Sequence, residues 1–143
     1  MSFILQILVG FLSLTLLAAE TSPFTGVWEG KMNGLPGVDL TIEDMGGKIS
    51  GVLIFYFQKR DKLGKWHVES KYTIPMVAPQ VEGKILAFEA AHGKFHGSSE
   101  LGPNVKFRLE ITGAHRAILH RLGENSNPSA MKLIRRTGRI QGK

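Results

Sequence analysis

Beyond residue 23, apolar and polar positions alternate with period two far more often than they recur at helical spacing, which predicts strands rather than helices. In "VDLTI", Val38, Leu40 and Ile42 stand against Asp39 and Thr41, and the following Gly46-Gly47 supplies the positive φ angles of a tight hairpin turn. "KISGVLIFYFQKR" places Ile49, Gly51, Leu53, Phe55 and Phe57 on one face and Val52, Ile54 and Tyr56 on the other. A strand apolar on both faces is expected to be central or at a contact. "DKLG" then turns into "KWHVESKYTI", where Trp66, Val68, Ser70, Tyr72 and Ile74 oppose Lys65, His67, Glu69, Lys71 and Thr73 in a one-sided pattern. Pro75 and Pro79 cannot donate to a ladder and predict an edge, a bend or a corner. "KILAFEAA" follows the Glu82-Gly83 turn, and "VKFRLEIT" sets Val105, Phe107, Leu109 and Ile111 against Lys106, Arg108, Glu110 and Thr112. "RAILHR" and "AMKLIRR" complete the set, while "NGLPG", residues 33–37, reads as a turn.

These segments predict an all-β fold of eight to ten strands joined by short turns. Sequential strands pair with their neighbours, giving an antiparallel up-and-down meander. A meander with one apolar and one charged face per strand removes its exposed edges by closing into a single β-barrel. A two-sheet β-sandwich is the alternative.

The segment before the first strand has a different character. Phe3 to Ala19 carries no charge and is apolar except at Gln6, Ser13 and Thr15, ending in Leu17-Ala18-Ala19. Residues 1–19 are expected to form the helix of a signal peptide cleaved near Ala19, with a retained anchor as the alternative. The barrel domain then spans residues 20–136, and a basic tail spans 137–143. Export is expected to leave the protein secreted or periplasmic, and with no cysteine in the chain no disulfide framework or lipobox attachment is available.

Directly behind that leader, Trp28 stands between Gly26 and Gly30 at the first strand. The triplet Gly26-Val27-Trp28, followed by the meander, resembles the lipocalin and avidin-like (calycin-type) barrels, whose Gly-x-Trp on the first strand packs across the barrel base. The resemblance implies a small-molecule carrier and a basic residue near the chain end stacked on the tryptophan. Arg121, Arg135 and Arg136 are the candidates for that role. No helix of the lipocalin kind is visible, which suits a short, helix-poor secreted barrel.

Charge changes the picture little. The net charge is +6, but "KLIRRTGRIQGK" holds five of the 18 basic residues (Lys132, Arg135, Arg136, Arg139 and Lys143), leaving 13 against 12 acidic residues elsewhere. A nearly neutral body with a basic end lacks the clustered cations and interleaved aromatics of a nucleic-acid face, so no nucleic-acid partner is expected. Contact with an anionic surface through the tail is the charge-based alternative.

Three kinds of chemistry are weighed against plain packing. The rings of Trp28, Phe55, Phe57, Trp66, Tyr72, Phe88 and Phe107 either line a ligand cavity or fill a solid core. His92 and His96, with Glu89 and Glu100 nearby, form a metal set only if a turn brings them together; otherwise they are a polar rim. By alternation Glu89 shares a face with Ile85 and Ala87, and an inward Glu89 near Arg108 or His67 would be an acid–base pair. No nucleophile elbow, cysteine nucleophile or phosphate loop appears, so no catalytic residue and no cofactor are assigned. The expected function is a non-enzymatic, monomeric, exported barrel that binds a small apolar or amphipathic ligand. A surface-interaction module using exposed strands and the tail, and a small hydrolase or isomerase, are the alternatives.

Overall fold

The computed structural model describes residues 22–91, 104–123 and 129–137. Eight strands form one closed antiparallel barrel in which each pairs with its sequence neighbour and the last pairs with the first. They are β1 (Gly26–Met32), β2 (Leu35–Met45), β3 (Lys48–Arg60), β4 (Trp66–Glu82), β5 (Ile85–Ala90), β6 (Val105–Gly113), β7 (Arg116–Leu122) and β8 (Ser129–Arg135). The architecture is thus all-β and up-and-down, and closure excludes the sandwich. The leader proposed for residues 1–19 lies outside the described residues.

The alternation sets the inside from the outside along each strand. Val38, Leu40 and Ile42 on β2 are buried, as are Leu53 on β3, Leu86, Phe88 and Ala90 on β5, Phe107 and Leu109 on β6, Ala117 and Leu119 on β7, and Leu133 on β8. Gly46 and Gly47 take φ of 64° and 90° in the β2–β3 hairpin, the positive values that a two-residue turn between twisted strands needs. The first hairpin is tighter than "NGLPG" suggested. Its turn is Asn33-Gly34 alone, and Leu35 to Gly37 already belong to β2.

Two irregularities re-aim the long strand β4. Phe57 faces Ser70 but Gln58 faces Val68, so Glu69 is one residue extra. A one-residue insertion flips every side chain beyond it to the other face of the sheet. Ser70, Tyr72 and Ile74 keep the inward phase, whereas Val68 and Trp66 take the phase of Gln58 and Arg60. The second irregularity falls between Val77 and Gln80, where Ala78 has φ of 48° beside Pro79. The expected bend is there; β4 runs through Pro75, which sits opposite Val52.

Hairpin order divides the barrel into two ends. At one lie the start of β1, the β2–β3, β4–β5 and β6–β7 turns and the end of β8. At the other lie the β1–β2 and β3–β4 turns, with the ends of β5 and β7 and the starts of β6 and β8.

Candidate functional site

The first end is stoppered. Trp28 and Phe24 are fully buried, and the indole Nε1 of Trp28 donates to the backbone carbonyl of Phe24 at 2.8 Å. That bond satisfies the ring's single donor inside an apolar environment. The Arg135 guanidinium lies over the Trp28 ring, 4.5 Å from its centroid, and also donates to the Pro23 carbonyl. Its Nε is buried with no hydrogen-bond partner among the described residues, and the electron-rich indole face supplies the stabilisation instead. Of the three arginines that the sequence offered for this role, Arg135 fills it. Arg136 pairs with Glu29 on β1, and Arg121 sits at the opposite end of the barrel.

The flanking glycines make room for side chains of β8. A Cβ on Gly30 would stand 2.5 Å from Met131 Sδ and 2.6 Å from a Leu133 methyl. Gly26, at φ 131°, has the Arg135 stem passing 3.5 Å from where a Cβ would be. The β1–β8 ladder is short, joining Trp28 to Arg135 and Glu29 to Ile134. Closure is reinforced by the Arg136–Glu29 ion pair and by Arg136 N–H donating to the Val27 carbonyl at 2.7 Å.

Above this packed floor the described residues leave the interior partly unfilled. A cavity of about 230 Å³ is lined by Phe55, Phe57, Tyr72, Ile74, Ala91, Val105, Phe107 and Arg121, with Tyr56 beside them. Phe107 forms part of its base, with the Phe55 ring 5.9 Å away and the Phe88 ring stacked at 5.4 Å. Most of this lining is hydrocarbon or aromatic, and Phe57 at 42% exposure marks the rim. Ligand pockets typically measure roughly 300–1,000 Å³, so this one suits a short chain or a single ring.

The seven rings singled out in the sequence therefore part company. Phe55, Phe57, Tyr72 and Phe107 meet in the cavity. Phe88 is buried behind Phe107, and Trp28 belongs to the closed end. Trp66, carried to the other phase by the Glu69 bulge, pairs with Arg60, whose guanidinium lies 4.8 Å over its ring. The place of Phe24 at the closed end and of Arg121 at the chamber is not marked by the sequence pattern. Phe24 precedes the first alternating run, and in the sequence Arg121 is one of three candidates to stack on Trp28.

The acid–base arrangement is corrected. The buried phase of β5 is Leu86, Phe88 and Ala90, so Glu89 lies on the outer face, where Asn104 donates to its carboxylate at 3.3 Å. Arg108 is exposed on the next strand and His67 is exposed on β4. His92 and His96 lie outside the described residues, and among the described residues no three metal-ligating side chains converge. Of the basic C-terminal stretch, Arg135 and Arg136 are tied to the barrel, while Arg139 and Lys143 lie outside the described residues.

The outer face carries its own polar row. Tyr56 Oη donates to Asp39 Oδ2 at 2.7 Å, and Asp39 stands opposite Glu29, the partner of Arg136. The hydrogen bond to Asp39 raises the Tyr56 pKa above the ordinary 10.0, with burial and the Asp39 charge adding to it. The Glu29 carboxylate, through its hydrogen bond and its charge, raises that of Arg136.

No family model matches the chain, and neither does any curated protein or solved structure with which it was compared.

Proposed function

We propose that this chain is an exported, lipocalin-like barrel that carries a small apolar or amphipathic molecule in the chamber at its open end. The observation that supports this reading is the division of the interior. Trp28, Phe24, Leu40, Leu53, Leu109 and Leu133 are packed to exclusion of solvent, yet beyond them the aromatic rings of Phe55, Tyr72 and Phe107 leave space between them. A chain needing only a stable core has no reason to keep such space, since unfilled apolar volume costs stability. Burying hydrocarbon there gains roughly 25 cal/mol per Å² removed from water.

Isothermal titration of octanol into the native protein, compared with a Phe55→Trp variant, tests the reading. The native protein should bind one molecule saturably. The larger indole should occupy the chamber and weaken binding at least about tenfold, while shifting stability by only ~1 kcal/mol because it enters open space. Absence of saturable binding to the native protein, or undiminished binding to the variant, would contradict it.

A further inference from the structure

Among the described residues that line the chamber, Arg121 alone carries a permanent charge. It ends the inward phase of β7 after Ala117 and Leu119, both buried, and its strand neighbours are Phe107 on β6 and Ser129 on β8. Adjacent His120 belongs to the outer face, where its Nε2 lies 3.2 Å from Glu110. The ion pairs among the described residues are Lys59–Glu69, His120–Glu110 and Arg136–Glu29, and none of them involves Arg121. Its guanidinium is thus a cation at the edge of an apolar space, with no described carboxylate to neutralise it.

We infer that Arg121 binds the anionic head of an amphipathic acid, so that the ligand is a short-chain carboxylate held tail inward and head at the rim. This inference rests on the chamber's being a ligand site. A guanidinium offers two parallel N–H donors that match a carboxylate, and such charge-assisted bonds are about twice as strong as neutral ones. Placement at the rim matters as much as the pairing. Arg121 is exposed, so both it and the arriving carboxylate keep part of their hydration, avoiding the desolvation that makes fully buried ion pairs break even. The low-dielectric wall formed by Phe55, Phe57 and Phe107 at the same time strengthens the attraction over its value in open water. The tail then replaces water against those rings.

The competing expectation is opposite in sign. An apolar chamber without a cation prefers an alcohol to the acid of equal length, because an ionised carboxylate is costly to remove from water. Octanoate and octanol are therefore titrated at about pH 7.5, where the acid is ionised, into native protein, Arg121→Gln and Arg121→Lys. In the native protein octanoate should bind about tenfold tighter than octanol, a ratio that a single charge-assisted hydrogen bond can produce. Arg121→Gln should remove that advantage, lowering octanoate affinity about tenfold more than octanol affinity, and Arg121→Lys should restore part of it. Equal or weaker binding of octanoate in the native protein overturns the inference and leaves the apolar chamber standing. A parallel loss of both ligands in Arg121→Gln overturns it as well, because that outcome makes Arg121 a structural residue. Failure of both ligands to bind the native protein overturns the carrier reading together with the inference.

Discussion

Tyr56 is a residue whose neighbours give it a defined pH signature. Its phenol is the form that donates to Asp39, so the folded state holds the proton more tightly than the unfolded chain and the folded pKa lies above 10.0. Stabilisation from this bond is complete below the unfolded value and fades as pH climbs through the raised one. Tyr56→Phe should therefore cost about 0.5–1 kcal/mol near neutral pH, and its deficit against the native protein should shrink above about pH 10. Urea midpoints of the two proteins across that range check the sign. A deficit independent of pH would show that the hydroxyl contributes through packing instead. The same scale explains why Arg135, not Arg136, meets Trp28. The two are consecutive on or after a strand, so they face opposite ways, one under the barrel and one toward Glu29 on the outside.

Between elements, the decisive join is β1 with β8. Gly30 makes room for Met131 and Leu133, and the ladder itself joins few residues. Gly30→Ala should destabilise by about 1–2 kcal/mol through overpacking, because the crowded atoms are the ends of side chains able to shift in part. In a Met131→Ala background the same substitution should cost less than half as much, and urea unfolding of the four proteins in a double-mutant cycle measures the difference. An equal cost in both backgrounds would place the strain in the backbone of β1. Strand phase is also where the sequence was most informative and where it misled. On β2 and β6 the inward residues are those that alternation picks out, because one face is apolar and the other charged. On β5 both phases carry small or apolar residues, so Glu89 was free to be placed on either. On β4 the pattern Trp66, Val68, Ser70, Tyr72, Ile74 runs unbroken in sequence, but Glu69 is an extra residue in space, and no local composition marks it.

For the molecule as a whole, alternation predicts which side chains point inward but not how far along the axis they lie. Trp28 and Phe55 are both inward, yet one seals the closed end and the other lines the open chamber. That axial level follows from the stagger of eight strands, a property of the closed barrel that no single segment encodes. Apart from Trp66, the singled-out rings were legible as interior; their division into floor and chamber was not. Arg121 shows the same limit. Its phase is readable beside Ala117 and Leu119, but its place at the mouth is visible only once β7 is set beside β6 and β8.

The proposed carrier needs a packed floor beneath a chamber that takes an apolar guest. Methyl-resolved NMR of the native protein during titration with octanol tests this most directly. Resonances of Ile74 and Val105, which line the chamber, should move together and saturate, while those of Leu40 and Leu133 at the floor should stay nearly fixed. Equal movement of the floor methyls, or unsaturated drift confined to exposed Leu63 and Ile134, would contradict it.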